Sequence, residues 1–239
     1  MWNLTARRQT IAKLLSSRGR WHEYQARLGT GPAHVAECFE HVPAFAQTRI
    51  GSADVQLIIY KPVNADPKAF IDFWAARYTG YDENFYAANV GQALTETRIL
   101  ALFTWKNGKP LSEAKRESVL RNFVARRGEL DHVPQDETAS DLLSCFSEGG
   151  AIWRIFWLHS WQPARFPIYD QHVHRAMRFI QAAVLEEIPG KDPQKIRVYI
   201  DTYMPFHAQF DGIGARLVDK ALWAFGKFLN ENNFPREAH

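Results

Sequence analysis

The chain has very little cysteine, only Cys38 and Cys145 in 239 residues. Two cysteines cannot build a disulfide framework, and a zinc site would have to lean on histidines. No apolar run approaches the roughly 20 residues needed to span a bilayer. The opening stretch, MWNLTARRQTIAKLLSSRGR, has no uninterrupted apolar segment of the kind a secretory signal carries. There is no internal repeat and no low-complexity segment. These absences speak against a disulfide-stapled mini-protein, a repeat array and a membrane partner, and a reducing cytoplasm is the expected setting.

What is present is the balance of a globular protein, 46% hydrophobic and 23% charged, in a length that suits one generous domain or two small ones. The net charge of +3 is unevenly spread. Residues 1–20 carry Arg7, Arg8, Lys13, Arg18 and Arg20 and no acid. Residues 106–127 carry Lys106, Lys109, Lys115, Arg116, Arg121, Arg126 and Arg127 against Glu113 and Glu117. Residues 129–148 are acidic. Separated basic stretches can present one basic face to nucleic acid, although solvated helix faces produce the same pattern.

Helical periodicity dominates, so the expected fold class is mainly α. Helices are predicted over 4–17, 67–78, 92–105, 112–127, 138–146, 150–161, 170–183, 193–205 and 215–230. Asp66-Pro67 and Asp192-Pro193 are helix-start signals. Ser112 lacks an acidic partner three residues on, which makes a soft start. The clear strand-like run is 54–60, DVQLIIY, with 45–50 as a candidate partner, so a small β element is expected near residues 45–60. The stretch 130–138, LDHVPQDET, reads as a loop and a candidate boundary between two helical lobes.

The informative stretch is 149–175, GGAIWRIFWLHSWQPARFPIYDQHVHR. Gly149-Gly150 permits a sharp turn. Gln162-Pro163 ends the helix that follows it. Phe166-Pro167-Ile168-Tyr169 is an extended apolar lead-in that should anchor Asp170, which then stands at the start of the next helix. An ionised carboxylate held beneath a sugar C1′ stabilises the positive charge that develops when an N-glycosidic bond breaks, and it can orient or deprotonate the attacking water. An aspartate in that position is also an ordinary helix cap.

This stretch resembles the helix-hairpin-helix DNA glycosylases. That superfamily carries a Gly-rich hairpin, one helix, a loop ending in a proline-containing apolar run, and then Val-Asp-x-His-Val-x-Arg. Here Tyr169-Asp170-Gln171-His172-Val173-His174-Arg175 stands at the corresponding place. The hairpin departs from the usual Leu-Pro-Gly-Val-Gly and reads Phe146-Ser147-Glu148-Gly149-Gly150. No lysine occurs from Ala151 to Tyr169, where members with lyase activity carry one. The resemblance therefore implies a monofunctional glycosylase, unless Lys191 or Lys220 folds into the site.

Across residues 1–239 the resemblance implies a single glycosylase-like domain of two helical lobes, with the active site in the cleft between them. On this resemblance it would act as a monomer on DNA containing a modified base and would need no cofactor and no metal. Asp170 would be catalytic. Trp153, Phe166, Tyr169 and Trp223 are candidates for a pocket that stacks an extruded base. Gly149, Gly150, His172, Arg175 and Lys220 are candidates for DNA contact. Trp153, Trp157 and Trp161 recur on one helical face, which reads first as core. Arg175 reads equally as half of a salt bridge, and Asp219 with Lys220 as a solvated pair. A metal site from His172, His174 and His207 is disfavoured, because an i,i+2 spacing puts two histidines on different helix faces.

The substrate base is not readable; oxidised or alkylated bases and a hypermodified phage cytosine are the classes considered, the last as part of antiviral defence. A non-catalytic DNA-binding protein on the same scaffold, an RNA-directed enzyme and an unrelated helical interaction protein are the other readings.

Overall fold

The computed structural model describes residues 39–50 and 53–62 as backbone, and residues 67–91, 93–134, 136–182 and 185–231 in full. The helix expected over 4–17 lies outside the described residues. The rest is mainly helical. Two strands, β1 (Phe39–Ile50) and β2 (Ala53–Pro62), pair antiparallel with Ile50 opposite Ala53 and a register shift between His41 and Phe45. β1 extends the strand expected at 45–50 at its start, and β2 extends the one expected at 54–60 at both ends.

Among the described residues ten helices follow: α1 (Pro67–Ala75), α2 (Glu83–Asn89), α3 (Glu96–Asn107), α4 (Glu113–Val119), α5 (Ala139–Cys145), α6 (Ala151–Trp161), α7 (Gln171–Ala182), α8 (Asp192–Val198), α9 (Met204–His207) and α10 (Ala215–Glu231). Wide π turns extend α4 over Leu120–Val124 and join α8 to α9 over Tyr199–Tyr203.

Capping residues set the helix starts. The Thr95 hydroxyl accepts from the Arg98 amide, so α3 begins at Glu96 and not at 92. Ser112 caps α4 through the Lys115 amide despite lacking a capping-box acid. Asp82 caps α2, a short helix not expected from the sequence. Part of the loop expected over 130–138 is a 3-10 turn, Arg127–His132.

The chain divides into two compact units. It passes between them at 77/78, 170/171, 187/188 and 219/220, and residues 130–138 fall inside one of them. The unit that holds α1, α7 and the C-terminal part of α10 has an aromatic core. There Trp74 packs on Phe225 (4.9 Å between ring centroids) and Phe228 (5.1 Å), while Phe70 and Phe179 meet Phe225 edge-on. Each enclosed ring contributes roughly 1.5–3 kcal/mol by leaving water. Gly226 of α10 lies within this core, and a Cβ there would overlap the backbone carbonyl of His172.

The other unit, Tyr78–Asp170 with Ile188–Asp219, is built around α3 and α6. Phe103, Phe123, Phe156 and Trp157 are all but fully buried in it. Gly149 opens α6 with φ of 83°, and a Cβ there would stand 3.1 Å from the Phe123 ring, so both the dihedral and the close approach call for glycine. Buried Arg154 donates to the carbonyls of Leu143 and Phe146, closing the end of α5 just ahead of that turn. No described helix is long and apolar enough to cross a membrane.

Candidate active site

Asp170 ends the lead-in and directly precedes α7. Its Oδ2 lies 2.7 Å from Nζ of Lys106, in the last turn of α3, and each side chain is 15% exposed. A carboxylate and an amine thus meet where solvent still reaches both. The contact joins residues 64 apart in sequence.

The lead-in is clamped from below. The Phe166 carbonyl lies 2.7 Å from Nδ1 of buried His159, and the Tyr199 hydroxyl donates to the Pro167 carbonyl at 3.3 Å. A carbonyl only accepts, so Nδ1 carries the proton, and Nε2 of the neutral ring accepts from the Tyr86 hydroxyl at 2.6 Å. Burial drives the Tyr199 and Tyr203 hydroxyls well above ordinary phenol values, and the charge of Asp219 pushes them the same way. Both hydroxyls stay neutral. Phe156 stacks between Trp105 and His159, and Lys106 Nζ lies 5.8 Å from its ring centroid. An aromatic floor therefore underlies the ion pair.

Arg216, in the first turn of α10, forms a bidentate pair with Glu83 (2.5 and 3.2 Å) and also donates to the Tyr78 hydroxyl. Its guanidinium carbon stands 4.4 Å from the Tyr86 ring centroid. Asp219, one turn further along, is 2% exposed and not the solvated residue expected. Its Oδ1 is 3.5 Å from His207 Nε2, and neither carboxylate oxygen has a hydrogen-bond partner. The Tyr203 hydroxyl is likewise buried without one.

Several expected roles are displaced. Phe166 and Tyr169 are core residues, at 0% and 1% exposure; Phe166 stacks on Trp161, and Tyr169 packs on Tyr199 and Tyr203. Enclosed rings present no face to an incoming base. Trp153 is half-buried, set against Phe103 with Lys115 above it. The α6 N-terminus, expected to grip phosphate beside Gly149-Gly150, already holds a carboxylate, because Asp192 accepts from the Ala151 amide at 3.0 Å. The Lys195 ammonium, the largest influence, and this amide hold Asp192 below the usual carboxylate range.

In the other unit Arg175 is buried and paired in bidentate fashion with Glu187 (2.7 and 3.2 Å), so its guanidinium is spent within the fold and not on phosphate. His172 lies edge-on to half-buried Trp223, and Lys220 is half-buried. His174 is fully buried, with Nε2 3.7 Å from Glu186. Among the described residues, no three side chains of metal-binding type come together.

Burial holds the pKa of His159 and of His174 down to about 4, from an ordinary 6.5. Both rings are neutral in the folded protein at neutral pH, whereas in the unfolded chain they protonate near 6.5. Their stabilisation is complete above that value and is lost as pH falls toward 4, at about 1.4 kcal/mol per pH unit for each ring. Thermal midpoints should therefore drop steeply between pH 6.5 and 5, before carboxylates titrate. His159→Gln should flatten part of that slope, and a midpoint level across the window would contradict the assignment.

No protein-family model matches the chain, and no curated protein or solved structure is significantly similar to it.

Proposed function

We propose that this protein is a DNA glycosylase of the helix-hairpin-helix type, with Asp170 as the group that stabilises the sugar cation and activates water. The observation that carries the reading is the Asp170–Lys106 pair at the end of a clamped lead-in. A carboxylate fixed by its backbone on one side, and partnered by an amine that solvent can reach, suits a reaction that develops positive charge at C1′. Half-buried Trp153, in the same unit as Asp170, remains a candidate for stacking an extruded base. The residues expected to hold DNA at the hairpin and at Arg175 are engaged within the fold, so phosphate contact falls to other cations, Lys109, Arg116 and Arg121 among them.

The test is mass spectrometry of free bases released from normal, oxidised, alkylated and glucosylated hydroxymethylated phage DNA by wild type and by Asp170→Asn. A base released by wild type alone supports the reading and names the substrate class. Salt-sensitive DNA binding without release from any substrate would instead make this a scaffold that binds DNA without chemistry. Absence of both would dismiss the DNA reading.

Lys106 also offers the amine that a lyase reading would need beside Asp170. Its nitrogen can add to C1′ of an abasic sugar in the aldehyde form; water leaves, and a C=N bond forms. Borohydride reduces that bond to a stable amine. Wild type should become covalently trapped on abasic DNA, and Lys106→Gln should not. Equal trapping of the two would exclude Lys106 as the nucleophile, and no trapping of wild type would restore the monofunctional reading.

A further inference from the structure

A cavity of about 890 Å³ opens in the Tyr78–Asp170 unit, between the start of α3, the turn after α4 and the end of α6. Its lining includes Glu96, Arg127, Asp131, Trp161 and Gln162. Glu96 begins α3 and Lys106 stands in its last turn, so ten residues of helix, roughly 15 Å, separate the two along the axis. This cavity is not the Asp170 site.

Trp161 is built into it as a platform. The indole lies nearly parallel to Phe166, 18° between planes and 6.2 Å between centroids, and the Arg165 guanidinium lies 4.8 Å from the centroid of the same phenyl ring. That stack immobilises the indole, which stays half-buried at the cavity wall. Arg127 is exposed and commits one N–H to the Val124 carbonyl, out of the five that a guanidinium carries. Glu96 and Asp131 bring two exposed carboxylates.

We infer that this cavity binds a guanine base. A fixed aromatic face selects a flat ring. Guanine offers two acceptors, O6 and N7, that suit a guanidinium, and two adjacent donors, N1–H and the N2 amine, that suit one carboxylate in bidentate fashion. Adenine carries a donor where guanine carries O6. Two carboxylates against one guanidinium disfavour a polyphosphate, so the ligand is a guanine in a nucleoside or in an unpaired strand position, not a nucleoside triphosphate. The inference does not depend on the glycosylase reading.

Ligand-observed NMR and calorimetry with guanosine, adenosine, cytidine, GTP and a short single strand with or without one guanine test it on the full chain. Guanosine should bind saturably, at least tenfold tighter than adenosine, cytidine or GTP. Arg127→Gln, a surface change, and Trp161→Ala should each weaken guanosine at least tenfold, while Asp170→Asn leaves its affinity unchanged. If the guanine-bearing strand binds tighter than guanosine and loses that affinity in Arg127→Gln, the guanine comes from nucleic acid; if not, it is a free nucleoside. No saturable guanosine binding, adenosine binding as tightly, or unchanged affinity in Arg127→Gln would each overturn the inference.

Discussion

Asp170→Asn should lower single-turnover base release by on the order of 10³-fold or more, because it removes the charge that opposes the developing sugar cation and the base that takes a proton from water. The fold should be little affected. Asparagine keeps the size of the side chain and an oxygen that can still accept from Lys106, which limits the loss at this part-buried pair. DNA affinity should hold or rise, since the negative charge beside Lys106 is lost. Rate and affinity moving in opposite directions would mark a catalytic carboxylate. A variant that retains the rate with a normal thermal midpoint would reduce Asp170 to a structural residue.

The largest stability effect should come from Gly226→Ala. Glycine inside a helix costs roughly 0.5–1 kcal/mol relative to alanine, so a sequence under no other constraint would gain from the change. Here the added methyl would drive into the His172 carbonyl, a backbone group that moves only if α7 moves. Overpacking of this kind typically costs 1–3 kcal/mol, and the rigidity of the obstacle places this case at or beyond about 3 kcal/mol. Chemical denaturation would read that as a lower midpoint with an unchanged slope. Gly190→Ala, where no atom lies within 4 Å of the added group, is the matched control and should be near neutral.

The site was legible where its signal is local. The stretch from Gly149 to Arg175 announces a turn, a helix, a stop at Gln162-Pro163 and an aspartate before the next helix, and those elements form within a residue or two of their expected places. Lys106 was not legible. It belongs to one of two basic stretches, and only the fold brings it the 64 residues back to Asp170. Asp192 at the Ala151 amide and Glu187 on Arg175 are hidden for the same reason. Phe166 and Tyr169 misled because an aromatic beside a catalytic candidate reads alike whether it lines a pocket or fills a core. The π turn at Tyr199–Tyr203 inserts itself into a helical pattern without breaking the apolar periodicity that predicts helix.

The four passages of the chain between its two units bear on the order of assembly. Every stretch of the Tyr78–Asp170 and Ile188–Asp219 unit has left the ribosome once residue 219 has emerged. The other unit still lacks the rings of Phe225 and Phe228, which close over Trp74 from about 150 residues downstream. Contacts of such sequence separation form late and slowly. During synthesis the body that carries Lys106 and Asp170 can therefore be complete while α1 and α7 still expose apolar surface, and that interval is when a nascent chain would most need a chaperone.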